Sequence, residues 1–196
     1  VVGDVRDIKS IFKLAKKHNI YTVVDAAQSI GHTKTDVKDL DCDFLAFSAH
    51  KMYGPTGVGV LYGKLKLLEK MMPVNMGGGM NESFTDDLVV FKALPERLEA
   101  GTINIAGIIA FNEALNFVDK VGIENINEYE SKLKKYLVSK LEEISYVDIY
   151  NKNTDASIVT INVKGVFASD LALYLNSKNI CVRAGNHCVK MLKEET

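Results

Sequence analysis

The chain of 196 residues carries 24 basic and 25 acidic side chains for a net charge of -1, with 47% apolar and 25% charged residues. That balance offers no field to draw nucleic acid or an anionic membrane, and the composition is that of an ordinary soluble globular protein. No apolar run approaches the roughly 20 residues that span a bilayer, and the first ten residues lack the parts of a secretory leader.

Three cysteines, Cys42, Cys181 and Cys188, are too few and odd in number for a disulfide framework. A cytoplasmic location, reduced thiols and a small-molecule partner are the expectations. The length permits a large domain fragment followed by a small domain. Val1 and Val2 read as the end of a strand entering a loop, as a fragment would begin.

In residues 4–18, Ile8, Ile11, Phe12 and Ala15 recur at the spacing of an amphipathic helix. Residues 20–24 are rich in strand formers with no alternation, which predicts a buried strand ending at Asp25. A second apolar run, 44–47, ends in Ser48, His50 and Lys51. A third, 58–62, is entered through the turn Gly54-Pro55-Thr56-Gly57. Strands ending in polar residues indicate an α/β sheet, whose ligands gather beyond the carboxyl ends of the strands. Residues 76–102 hold three consecutive glycines and read as irregular chain with a short hairpin.

Helices are expected over 105–118 and 123–141, with a domain boundary near Lys120-Val121-Gly122. After it, strands at 146–150 and 157–163, a helix at 169–177 and a strand at 180–183 form a small α+β unit.

Asp25, Gln28, Ser48, His50 and Lys51 therefore fall at the ends of two strands that could be neighbours. A lysine that bonds covalently to a carbonyl cofactor must be carried into a cleft by a rigid element. Pyridoxal 5'-phosphate (PLP) also needs an anion beside its pyridinium nitrogen. Taken singly, a strand-end aspartate is more often a cap and a lysine before a turn is more often solvated. Cys42 lies between Asp41 and Asp43, which disfavour its thiolate, and Cys181 falls in an expected buried strand, so both read as structural. A zinc site from Cys181, His187 and Cys188 lacks a fourth ligand and paired spacing, and no metal is expected. GPTGVG lacks the terminal Gly-Lys-Ser/Thr of a Walker loop.

The strings VVDAAQSIGH and FSAHKMYGPTGVGVLYG together resemble the cofactor-binding segments of class V, fold-type I PLP enzymes. The resemblance implies that Lys51 carries PLP, that Ser48 and His50 bind its phosphate, that Asp25 pairs with the pyridinium nitrogen and that Gln28 bonds the ring hydroxyl. AGTINIAG looks like the family's Ala-Gly-Thr loop, whose threonine, here Thr102, reaches the phosphate of the partner's cofactor in a homodimer. VRAGNHC resembles the Arg-x-Gly-x-His-Cys loop of group II, SUF-type cysteine desulfurases and selenocysteine lyases.

That likeness makes Cys188 the sulfur-accepting nucleophile, with Arg183 and His187 on the substrate side. Since the thiolate is the reactive form, a proton acceptor or a low-pKa environment should favour it. The implied fold is part of a fold-type I large domain over 1–120, then a small α+β domain over 121–196. The implied activity is PLP-dependent desulfuration of L-cysteine to L-alanine, with a persulfide handed to an acceptor protein. Selenocysteine lyase, or an inactive fragment serving as a dimerising scaffold, are the alternatives. Relatives carry further segments on both sides, so N-terminal and C-terminal parts are expected to be missing.

Overall fold

The computed structural model describes residues 3–187. The chain divides into two compact units: Asp7–Glu124, and the described residues before Asp7 and after Glu124.

The first unit opens with helix α1, Ile8–Lys17, where the Asp7 side chain accepts from the Ser10 amide and Lys16 and Lys17 occupy the last turn. Both ends thus suit the helix dipole. Its inward residue Phe12 packs with Ala26, Cys42 and Leu45. Ile11 and Leu14 stay more than half exposed, so the expected stripe is buried on one side only.

Strand β1, Val23–Asp25, runs parallel to β2, Phe44–Ser48, with Asp25 opposite Ala46. Parallel neighbours require a crossover, here formed by the turns after Ala26 and the short helix α2, Val37–Leu40, capped by Asp36. Strand β3, Gly59–Gly63, then returns antiparallel to β2, Ser48 facing Gly59, giving the order β1-β2-β3.

The expected strand over 20–24 is shorter and less buried than its composition suggests. Ile20, Tyr21 and Val23 are 58%, 68% and 66% exposed, because among the described residues β1 pairs on one side only.

A short helix α3, Leu65–Leu68, follows. The glycine-rich stretch then yields the hairpin expected there: β4, Asn81–Phe84, and β5, Val89–Phe91. Helix α4, Ile105–Val121, buries Gly107, Phe111, Ala114 and Val118, one face at helical spacing.

Helix α5, Ile123–Glu142, of which all but the first two residues belong to the second unit, is followed there by the antiparallel pair β6, Val147–Tyr150, and β7, Thr160–Val163, and by helix α6, Ala168–Ser177. Lys134 of α5 is buried and donates to the Thr154 carbonyl (2.7 Å), the Thr154 hydroxyl (2.8 Å) and the Ala156 carbonyl (2.6 Å).

The strand expected over 180–183 is absent. That segment is irregular, with Ile180, Cys181 and Val182 exposed, because among the described residues no strand pairs with it and the unit's sheet stops at β6 and β7. Among the described residues no helix is long and apolar enough to cross a membrane.

Candidate active site

The β1 and β2 strands finish at the same edge, and the backbone there fixes where the polar residues go. The Ala26 amide donates to the Ala46 carbonyl at 2.9 Å, extending the parallel pairing one residue past Asp25. The Asp25 carboxylate accepts from the Ala27 amide at 2.9 Å, which turns the chain away from the sheet. Gln28 lies exposed on that turn.

At the end of β2, Ser48 precedes a single 3-10 turn, Ala49–Lys51. Ala49 and Met52 point into the core against Phe111 and Ala114 of α4. His50 and Lys51, between them, are left exposed at the strand-end edge. The sequence order apolar, polar, polar, apolar is thus converted by one tight turn into a buried pair and a presented pair.

Two glycines permit this packing. A Cβ on Gly31 would lie 3.0 Å from the Lys51 carbonyl oxygen and 3.0 Å from the Met52 Cβ, so the turn bearing Gln28 rests directly on the lysine's backbone. A Cβ on Gly54 would meet Phe111 at 2.8 Å and the Ala49 oxygen at 2.9 Å. The turn is therefore clamped from both sides.

Thr102 lies exposed in the loop before α4. Asn104 caps that helix: its Oδ1 accepts from the Gly107 amide at 3.0 Å, and its Nδ2 donates to the Gly57 carbonyl at 3.4 Å. This second bond ties the Thr102 loop to the glycine turn leading into β3, opposite Ser48. Sequence reasoning missed Asn104, although an asparagine directly before a helical stripe is a cap signal.

Asp25, Gln28, Ser48, His50, Lys51 and the Thr102 loop thus all belong to one unit and one end of its sheet. Arg183 and His187 lie in the other unit on irregular chain, Arg183 exposed and His187 partly buried with φ of 48°. Cys188 lies outside the described residues.

Cys42 is fully buried, and burial is the leading cause pushing its thiol up, with Asp43 adding to it and Lys64 and Lys16 opposing. Burial, more than the flanking carboxylates, thus disfavours its thiolate. Cys181, by contrast, is exposed. A broad depression lined by Lys16, Ile20, Tyr21, Asp43, Lys64 and Leu65 lies where β1 and β2 begin, at the far end of the sheet from Lys51.

A lysine, a carboxylate and a serine-histidine pair at adjoining strand ends define an α/β protein with a ligand edge at the carboxyl ends of its strands. The whole chain, residues 1–196, matches the family described as aminotransferase class-V. A probable cysteine desulfurase of Halalkalibacterium halodurans is 42% identical over 192 residues, covering 98% of this chain and 47% of that protein.

Among solved structures, the apo cysteine desulfurase of Thermococcus onnurineus NA1 superposes with a TM-score of 0.93 at 38% identity, over 98% of this chain and 49% of the other. The Escherichia coli cysteine desulfurase CsdA gives a TM-score of 0.88 at 37% identity, over 95% and 47%. The chain belongs to the aminotransferase class-V family, and the expected fold-type I α/β architecture is borne out. It spans about half the length of the curated relatives it matches.

Proposed function

We propose that the protein containing this chain is a PLP-dependent cysteine desulfurase that converts L-cysteine to L-alanine and leaves a persulfide for an acceptor protein. One observation carries the reading most directly. The turn Ala49–Lys51 buries Ala49, with the following Met52, and leaves His50 and Lys51 exposed at the strand-end edge shared by Asp25. The donor set suits PLP, which supplies, when bound, an electron-withdrawing ring that stabilises negative charge at the substrate α-carbon.

In this reading Lys51 holds the cofactor aldehyde covalently and then carries the α-proton. Asp25 keeps the pyridine nitrogen protonated, Gln28 bonds the ring hydroxyl, and Ser48 and His50 bind the phosphate. Thr102 is offered to the phosphate bound by the second subunit of a homodimer. Arg183 pairs with the substrate carboxylate.

The Cys188 thiolate attacks the substrate sulfur, so that a sulfur-sulfur bond forms as the carbon-sulfur bond breaks. The three-carbon fragment retains the bonding electrons, takes up protons and leaves as alanine. His187 accepts the thiol proton. The VRAGNHC segment favours the group II, SUF-type branch, acting in the cytoplasm, with the large domain over 1–120 and the small one over 121–196.

The test is chemical trapping in the full-length protein. Borohydride should fix PLP to Lys51 in the wild type and to nothing in Lys51→Ala. Cys188→Ala should keep the coloured cofactor yet release no sulfide. Sulfide release from cysteine at the normal rate by Cys188→Ala would end the proposal, and parallel assay with selenocysteine separates the lyase alternative.

A further inference from the structure

The turn that presents Lys51 is closed in a manner its sequence does not favour. The Ala49 carbonyl accepts two amides, from Met52 and from Gly54, each at 2.9 Å. The second bond is the 6→1 closure of a helix C-terminus, and it requires a left-handed residue immediately before the donor. That residue is Tyr53, with φ of 64°.

Glycine usually fills this position, because a Cβ is crowded there and a bulky residue with positive φ is a genuine outlier. The chain does have a glycine nearby, one residue late: Gly54 serves a different need, the close approach to Phe111. Backbone preference therefore argues against tyrosine at 53.

What a tyrosine adds is its ring. It lies edge-on to Phe117 of α4, with centroids 5.6 Å apart and planes at 62°, a favoured aromatic geometry. Both rings are half exposed, so the pair covers little of the core.

We infer that Tyr53 is a positioning residue: its ring, anchored on Phe117, holds the left-handed closure of the Lys51 turn and so fixes the direction in which the lysine amine is offered to a carbonyl cofactor. This rests on the PLP reading above. Tyr53 acts through the backbone it constrains.

The experiment compares Tyr53→Gly and Phe117→Ala with wild type in the full-length protein. It reads amide hydrogen exchange over residues 49–54 without cofactor, the PLP dissociation constant by absorbance titration, and the melting temperature. Tyr53→Gly accepts the left-handed φ without penalty. Phe117→Ala leaves the turn's own residues untouched.

Phe117→Ala should exchange the Gly54 amide faster and bind PLP roughly two- to tenfold more weakly, the range expected for losing one aromatic pair, and Tyr53→Gly should change less because the relieved φ offsets part of the lost ring contact. A role in packing alone would lower the melting temperature and leave PLP affinity per folded molecule unchanged. Unchanged exchange or unchanged PLP affinity in Phe117→Ala overturns the inference. Failure of the wild type itself to take PLP at Lys51 instead overturns the functional reading beneath it.

Discussion

Replacing Asp43 tests how the sheet is assembled at the end away from Lys51. Its Oδ2 accepts from the Thr22 amide at 2.9 Å and from the Thr22 hydroxyl at 3.1 Å, and its own amide donates to the Thr22 oxygen at 2.9 Å. Its Oδ1 lies 3.0 Å from the Lys64 amine. Thr22 is only 3% exposed, so Asp43→Ala strands a buried backbone donor.

A stranded donor costs about 1–3 kcal/mol, and a hydrogen bond to a charged acceptor contributes about 1.5–3 kcal/mol. The Lys64 side chain is one-third exposed and also pairs with Asp41, so its share is at most about 1 kcal/mol. These effects overlap on the same atoms, and about 2–4 kcal/mol is the expected total for Asp43→Ala. Asp43→Asn keeps an acceptor for Thr22 and should lose about 1 kcal/mol.

The pH dependence has a defined sign. Burial opposes ionisation of Asp43, but the Thr22 amide, the Lys64 amine and the Thr22 hydroxyl outweigh it and hold the carboxyl below its ordinary 3.8. A depressed carboxyl stabilises the fold above its unfolded value and loses that contribution as pH falls through its folded value. The gap between wild type and Asp43→Asn should therefore be full at pH 7 and shrink below pH 3.8.

Urea unfolding followed by far-ultraviolet circular dichroism measures both, since the chain has no tryptophan. An Asp43→Ala protein within about 0.5 kcal/mol of wild type, or a gap that does not close in acid, would refute the reasoning.

Gly54→Ala forces a Cβ against Phe111 and Ala49, and calorimetry should show a loss of about 1–3 kcal/mol. Gly78→Ala, where nothing lies within 4 Å, should stay within about 0.5 kcal/mol. Lys134→Ala removes the donor shared by Thr154 and Ala156. It should cost about 1–3 kcal/mol and speed proteolysis within residues 151–158. On the proposed desulfurase reading, in which Asp25 faces the ring nitrogen, Asp25→Asn in the full-length protein should retain borohydride-fixable PLP but lower turnover in steady-state assays by about a hundredfold or more, because a neutral amide would not keep that nitrogen protonated.

The placement of the candidate residues at one end of the sheet was legible because it depends on local order. The strings around Asp25 and Lys51 place polar residues directly after apolar runs, and a strand that ends must release its next residues at the sheet edge. The helices behaved likewise: Gly107, Phe111, Ala114 and Val118 form a face by spacing alone. Where the reading failed, the deciding partner was remote. Residues 20–24 and 180–183 have strand composition, but a strand exists only through hydrogen bonds to a neighbour, and burial only through what covers it.

Sequence by itself determined the α/β class and the family and nominated the residues proposed to carry chemistry, since these reside in residue type and short-range spacing. Tertiary structure decided that β1 and β2 lie parallel and end together, that Gly31 and Gly54 must be glycines because of what approaches them, and that Tyr53 sits where glycine is expected. Those are contacts between segments distant along the chain, and no local pattern encodes the distance at which two segments meet.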